Sequence, residues 1–229
     1  MKTRNEGILP VNKTSGTFSF SLVRQLRKIA KIKKIGHSGT LDPIASGVMV
    51  MLLGKTYTKQ APYFLTQDKE YLVKIQLGMD TDTYDKEGKI VATSSKEPTL
   101  ADLEKALTHF QGDIDQIPPM FSAKKHRGKK LYELARQGKV VERPPCKITL
   151  STHLLSYKYP YLELHIQCSK GTYIRSVAYD LGRNLGCGAH LFSLIRNRLG
   201  PFHLKDCIDE KELLNPHFLL HEHLYAHIP

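Results

Sequence analysis

The chain has 229 residues, 41% hydrophobic and 24% charged, with 34 Lys and Arg against 22 Asp and Glu for a net charge of +12. A chain this long buries about 70% of the surface its unfolded form exposes, so it folds without disulfide or metal staples, as one large domain by its length. No stretch is dominated by one residue type, which excludes a disordered chain, and the charge balance favours a polyanionic partner such as nucleic acid.

Met1 to Gly16 mixes Lys2, Arg4, Glu6 and Lys13 with no continuous apolar stretch, which excludes a secretory signal. Leu22, Val23, Leu26, Ile29 and Ala30 recur at helical spacing and predict a helix over Ser19 to Lys34, capped by Ser19 or Ser21. Arg24, Arg27, Lys28, Lys31 and Lys34 recur at the same spacing; on this helix alone the stripe reads as a solvated face. GHSGTLDPIASGVMVMLLGK then reads as a loop punctuated by Gly36, Gly39 and Asp42-Pro43, leading into an apolar strand. Its run Val48 to Leu53 is the longest apolar one and far too short to span a bilayer, so a cytoplasmic protein without membrane contact is expected.

Tyr71, Val73, Ile75 and Leu77 alternate with Leu72, Lys74 and Gln76 as a largely buried strand, which ends in the acidic turn MDTDTYDKEG. Thr99 to Phe110 predicts a helix with Leu103, Ala106, Leu107 and Phe110 on one face. Lys124 to Lys147 holds nine Lys or Arg against Glu133 and Glu142, a net of +7. Pro118-Pro119 and Pro144-Pro145 flank it, and a short helix from Lys130 to Gln137 is closed by Gly138, so it reads as an excursion from the core. A strand over Leu162 to Cys168, the turn SKGT, and a helix from Tyr173 to Leu185 follow, the helix capped by Thr172, buried along Ile174, Val177, Leu181 and Leu185, and stopped by Gly186. Strands and helices interleave without a βαβ rhythm, which predicts an α+β domain around a mixed, mostly antiparallel sheet.

Cys146, Cys168, Cys187 and Cys207 form no CxxC pair and read as reduced thiols. His217, His221, His223 and His227 include i, i+4 pairs, but HEHLYAH is not HExxH, so a solvated or partly packed helix is expected and no metal.

Asp42 precedes Pro43, which holds it extended so that its carboxylate projects from the loop; alone, an Asp before Pro is a common turn residue. Arg175 sits in the first turn of its helix, where it opposes the dipole and gains from an anionic neighbour. A guanidinium is suited to hold a carboxylate bidentately and keep it ionised.

The blocks GHSGTLDPIASGVMVMLLGKTYTK, KEYLVKIQLGMDTDTYDKEG, GDIDQIPPMFSAKKHRGKKLYELARQG and CSKGTYIRSVAYDLGRNLGCGAHLFSLIR, in this order, resemble those of the TruB family, which makes pseudouridine-55 in tRNA. The resemblance runs from about Lys13 to Phe202 and implies a pseudouridine synthase-like fold, one catalytic domain over 1–229 with a basic RNA-clamping insertion at about 118–147, and no separate C-terminal PUA-like domain. The family's usual KPxGxTS opening is KTSGTFS here, with Thr14 for Pro and Phe18 for a hydroxyl residue. By resemblance Asp42 is the nucleophilic or charge-stabilising aspartate, Tyr71 the residue stacking on the target uracil, and Arg175 the aspartate's partner. His37 resembles the residue next to the flipped base, Tyr173 a shaper of the pocket, Leu194 a pocket wall, and Asp85 an acidic partner in the Arg175 network.

The reaction so implied breaks N1–C1′, turns the trapped uracil and forms C5–C1′, with no redox change and no metal or organic cofactor. A carboxylate can attack C1′, stabilise charge there, or attack the base. The uridine must leave its loop and stack on an aromatic ring. Lys124, Lys125, Arg127, Lys129 and Lys130, with the first-helix stripe, are the expected phosphate contacts. The expected partner is the T-arm of tRNA, bound by a monomer with no obligate protein partner. A non-catalytic tRNA-binding or folding module, or a synthase for another uridine, is the alternative.

Overall fold

A computed structural model describes residues 5–229; positions 1–4 of the Met1–Gly16 segment, with Lys2 and Arg4, lie outside the described residues. The elements run β1 (Gly7–Lys13), α1 (Ser19–Ala30), β2 (Ile35–His37), β3 (Ala45–Leu53), α2 (Lys55–Thr58), α3 (Ala61–Thr66) and β4 (Lys69–Leu77). Then come β5 (Met79–Thr81), β6 (Ile90–Thr93), α4 (Leu100–Leu107), β7 (Gly112–Gln116), β8 (Lys125–His126), β9 (Lys129–Lys130) and α5 (Leu131–Ala135). The last are β10 (Cys146–Lys158), β11 (Tyr161–Cys168), α6 (Ile174–Leu185), β12 (Ala189–Leu199), β13 (Phe202–His203) and β14 (Ile208–Asp209). The chain divides into two compact units, Met1–Leu72 with Leu194–Pro229, and Val73–Ser193.

In the first unit the strand order is β14-β1-β3-β12. β1 and β3 pair antiparallel from Gly7 opposite Leu53 to Lys13 opposite Gly47. The other edge of β3 is shared, β12 taking Ala45 to Gly47 in parallel and β2 taking Met51 to Leu53 antiparallel. Both faces of this sheet are covered. Leu9, Val11, Met49, Met51 and Leu53 pack with Leu22, Val23, Leu26 and Ala30 of α1, and Ile8, Val48, Val50 and Leu52 pack with Tyr57, Phe64, Leu199 and Phe202. A strand buried on both faces needs an unbroken apolar run, which is what β3 has. Gly47 sits at φ +105, and a Cβ there would lie 2.3 Å from the Arg196 carbonyl oxygen, so the close approach of β3 and β12 depends on its having none.

Helix α1 stops at Ala30, four residues before the expected end, and its cap position is Phe18 without a side-chain bond. Lys31 turns left-handed at φ 56, because Ile32 must fold back onto the α1 cluster and Ile35 must enter β2. The C-terminal histidines are not on the expected helix. One 3₁₀ turn, Leu220–Glu222, is present, and Tyr225 exchanges backbone bonds with Ile8 of β1 at 2.9 and 3.0 Å, an extended pairing that a helix would forbid. Among the described residues no group of three or more His, Cys, Asp or Glu is placed to hold a metal, and no helix is long and apolar enough to cross a membrane.

In the second unit β11, β10 and β7 are antiparallel neighbours, Leu150 lying opposite Cys168 on one side and Gly112 on the other. The alternation expected of residues 71–77 holds, with Tyr71, Val73, Ile75 and Leu77 buried in β4. The acidic turn after it is partly strand, Met79–Thr81 pairing with β6. α4 has a full capping box between Thr99 and Asp102 and buries Leu103, Ala106 and Leu107; it ends at Leu107, and Phe110, expected on the same helix, is buried in the 3₁₀ turn Thr108–Phe110 that follows. α6 buries Ile174, Val177, Leu181 and Leu185 and ends at a left-handed Gly186, but Thr172 does not cap it. Its hydroxyl donates to Ser169 O at 3.0 Å and closes the preceding turn instead. The four cysteines form no disulfide, and Cys168 and Cys187 are buried.

The basic segment is a hairpin and a short helix. Lys125 lies opposite Lys130 and His126 opposite Lys129, across a two-residue turn in which Arg127 and Gly128 both have positive φ, 46 and 84. That pair of angles is the type I′ signature, whose twist suits a tight hairpin. Met120, Leu131 and Leu134 form a small core of their own beneath it. The helix spans Leu131–Ala135, shorter than expected, and Lys147 already belongs to β10.

Candidate active site

Asp42 lies half-buried in the loop between β2 and β3, and the first unit braces this loop from several sides. Asp42 O accepts from Ala45 N at 3.0 Å, a turn whose second position is Pro43. Ser19 at the start of α1 donates through Oγ to Leu41 O at 2.8 Å and accepts from Leu41 N at 3.0 Å. Ser15 Oγ donates to Ile44 O at 2.8 Å, and Gly16 N to Pro43 O at 2.7 Å. Lys13, fully buried, points Nζ into the loop and donates to Ala45 O at 2.7 Å and Thr14 O at 3.1 Å, with Asp42 O at 3.4 Å. A buried ammonium is tolerable only when such acceptors replace its water. Arg196, 2% exposed, donates from Nε to Val48 O at 2.7 Å and from Nη2 to Gly39 O at 3.3 Å. The carboxylate-bearing loop is thereby held before any substrate arrives, as a positioned catalytic group requires.

The segment that makes these bonds is itself tied. Glu210 Oε2 accepts from Thr14 N at 2.6 Å and from Thr17 Oγ1 at 3.1 Å, while Glu210 is 9% exposed. Glu210→Ala is expected to leave the part-buried Thr14 N–H without this acceptor and to lower stability by about 1 kcal/mol, read as a drop in the denaturant midpoint at unchanged slope. Full stability in that variant would mean that the Thr14 bond contributes nothing.

His37, Tyr71 and Leu194 belong to the same unit. Leu194 lies opposite Ala45 in the β12–β3 register, three residues beyond Asp42, and is 7% exposed. Tyr71 is 6% exposed in β4. His37 ends β2 opposite Met51; its Nδ1 is buried without a hydrogen-bond partner. Burial, and secondarily the charge of Arg196, push its pKa below the ordinary imidazole value, so the ring is neutral at physiological pH.

The second unit builds a buried network around Arg175, 6% exposed in the first turn of α6. Its Nη2 donates to Phe121 O at 2.9 Å and its Nη1 to Thr83 O at 3.2 Å, and Nε lies 3.7 Å from Asp85 Oδ2. Asp85 also accepts through Oδ1 from Thr83 Oγ1 at 2.6 Å and from Glu87 N at 3.1 Å. Tyr173 is the cap position of α6, and buried Gln116 both accepts from its N at 2.8 Å and donates to its O at 3.0 Å. Arg175 and Asp85 are therefore neighbours. Lys125, Arg127 and Lys129 are exposed on the hairpin, whereas Lys124 and Lys130 are partly buried, Lys124 Nζ lying 2.5 Å from Cys146 Sγ.

Sequence reasoning missed Lys13, Ser19, Gln116, Arg196 and Glu210. For Lys13 and Arg196 a signal existed, since each interrupts an apolar strand pattern, GILPVNK and LIRNRL, at a buried position. Ser19 has the local signature of a helix cap, and Gln116 and Glu210 carry no local signal at all.

A family model described as "TruB family pseudouridylate synthase (N terminal domain)" matches residues 27–174, and one described as "tRNA pseudouridylate synthase B C-terminal domain" matches 175–227. The chain is 60% identical over 208 residues to a protein of Protochlamydia amoebophila named "tRNA pseudouridine synthase B", covering 91% of this chain and 79% of that one. It is 53% identical over 213 residues to a protein of the same name from Chlamydia trachomatis serovar L2, covering 93% and 88%. Among solved structures, a chain of a Cbf5-Nop10-Gar1 complex superposes with a TM-score of 0.72 at 26% identity, over 92% of this chain and 54% of that one, so this chain spans about half its length. Two family models that together cover most of the chain, and relatives at more than half identity along nearly all of it, place the protein in the TruB family of pseudouridylate synthases.

Proposed function

We propose that this protein is an isomerase that converts uridine-55 in the T-loop of tRNA to pseudouridine. The observation that carries the reading is Asp42: a half-buried aspartate on a loop bonded by Lys13, Ser15, Ser19 and Arg196, inside a chain of this family. So many polar groups spent on one short loop suit a side chain that must be positioned for chemistry. The isomerisation breaks one C–N bond, forms one C–C bond, moves a proton from C5 to N1, and needs no net oxidant. Asp42 serves as nucleophile or charge stabiliser and Tyr71 as the ring that meets the uracil. Arg175, steadied by Asp85, is the guanidinium partner of the carboxylate chemistry, and His37, Tyr173 and Leu194 shape the base pocket. Lys124, Lys125, Arg127, Lys129 and Lys130 meet backbone phosphates as one basic insertion of a single catalytic domain. The protein works in the cytoplasm as a monomer, without a resident cofactor or obligate protein partner.

The test is to map pseudouridine in tRNA from cells lacking the gene. Position 55 should remain uridine and regain pseudouridine when the wild-type gene is restored. Loss at another position instead would reassign the substrate, and an unchanged map would leave a tRNA-binding module.

A further inference from the structure

Helix α1 carries a surface that the chemistry above does not use. Phe20, Arg24, Arg27 and Lys31 follow one another at i, i+4, i+7 and i+11, so they form one exposed row, with Lys28 beside it and Lys33 and Lys34 just beyond. The helix has no acidic residue, and among the described residues none of these six cations forms an ion pair. Arg24 and Lys28, Arg27 and Lys31, and Arg24 and Arg27 are like-charge neighbours at helical spacing, each pair mildly destabilising. The bland account, cations complementing the carbonyl end of the helix, covers Arg27 and Lys28 in the last turn but not Arg24, Lys33 or Lys34.

Two further observations give the row a shape. The guanidinium carbons of Arg24 and Arg27 sit 5.9 and 5.8 Å from the centroid of the Phe20 ring, which is itself 54% exposed, as is Phe18 at 65%. Lys31 occupies a left-handed position that favours glycine, and the turn it makes leaves Arg27, Lys31 and Lys33 with Ile32 around one surface depression. Three cations converging on a single depression, beside an exposed ring flanked by guanidinium groups, match the chemistry of a sugar–phosphate backbone: phosphate oxygens for the cations and a sugar or base face for the ring. A lipid surface would call for a continuous apolar face, and on α1 that face is buried in the core.

We infer that the exposed row of α1, from Phe18 to Lys34, is a second RNA-binding surface that takes backbone phosphates of the tRNA outside the isomerised loop. It adds to the reading above and rests on the substrate being tRNA, but not on which uridine is modified.

The test replaces Arg24, Arg27, Lys31 and Lys33 together with Gln in the full chain. Glutamine keeps helix propensity, and loss of like-charge repulsion leaves the thermal midpoint unchanged or higher, so the variant folds. With about three of the four cations on phosphates, the slope of log K against log salt for tRNA should flatten by about two to three units, and affinity near 0.1 M salt should fall roughly a hundredfold. The single-turnover rate at saturating tRNA should stay within about twofold of wild type. An unchanged slope and affinity would overturn the inference and make the row a solvated face. So would wild-type binding to anionic vesicles that the variant loses while its tRNA slope is unchanged. A wild-type protein that binds tRNA with the expected slope yet leaves uridine-55 unmodified would instead sink the functional reading alone.

Discussion

Asp42→Asn is expected to lower the single-turnover rate of uridine isomerisation by roughly four orders of magnitude, the scale seen when a group central to covalent or charge-stabilising chemistry is removed. The substitution keeps shape and removes only the charge. The bonds that shape the loop use the main chain of residues 39–45, through Lys13, Ser15, Ser19 and Arg196, so they survive it. Stability and tRNA affinity should therefore remain within a few-fold of wild type, and pre-bound tRNA should simply not turn over. Near-wild-type product formation would show that the carboxylate is a turn residue with a structural role. A large fall in affinity at a preserved rate would move Asp42 from chemistry to binding.

Arg175→Ala should be the most damaging single change in the second unit. It removes a guanidinium that reaches Thr83 O, Phe121 O and Asp85 at once and leaves the 6%-exposed Asp85 without its cation. Breaking a buried pair from one side costs about 3–5 kcal/mol, because the remaining charge stays desolvated. Arg175→Lys should recover part of this, since an ammonium keeps the charge but cannot match three acceptors fixed in different directions. Two readouts separate structure from chemistry. Chemical denaturation reports the stability loss, and single-turnover rates measured well below the variant's melting temperature report any loss that remains in the folded protein. A hundredfold or larger deficit there supports a role in the reaction; full recovery on cooling would confine Arg175 to holding Thr83, Asp85 and Phe121 together.

Legibility in the sequence followed range. The helical faces of α1, α4 and α6, the alternation of β4 and the unbroken apolar run of β3 all register local periodicity, and each was correct in kind. Boundaries slipped where tertiary packing overrode local preference. α1 ended early because Ile32 and Ile35 return to the core, and the C-terminal histidines lost their helix to the backbone pairing of Tyr225 with Ile8. Caps failed for a related reason: Ser19 and Thr172 have capping chemistry, but their hydroxyls found Leu41 and Ser169. The candidate site was legible only through ordered blocks of resemblance. Asp42, alone, reads as a turn, and the residues that brace its loop are long-range partners: Lys13 meets Ala45 across 32 positions and Glu210 meets Thr14 across 196. No window along the chain contains both members of such pairs.

The Thr14–Glu210 bond couples two positions that lie 196 residues apart in the chain. Proline has no N–H to offer, so a proline at position 14 of this chain would strip Glu210 Oε2 of its 2.6 Å donor. The two positions are thus contingent on each other. A proline at 14 would leave Glu210 Oε2 with Thr17 Oγ1 as its remaining donor of the two, so any redesign of one position has to treat the other with it.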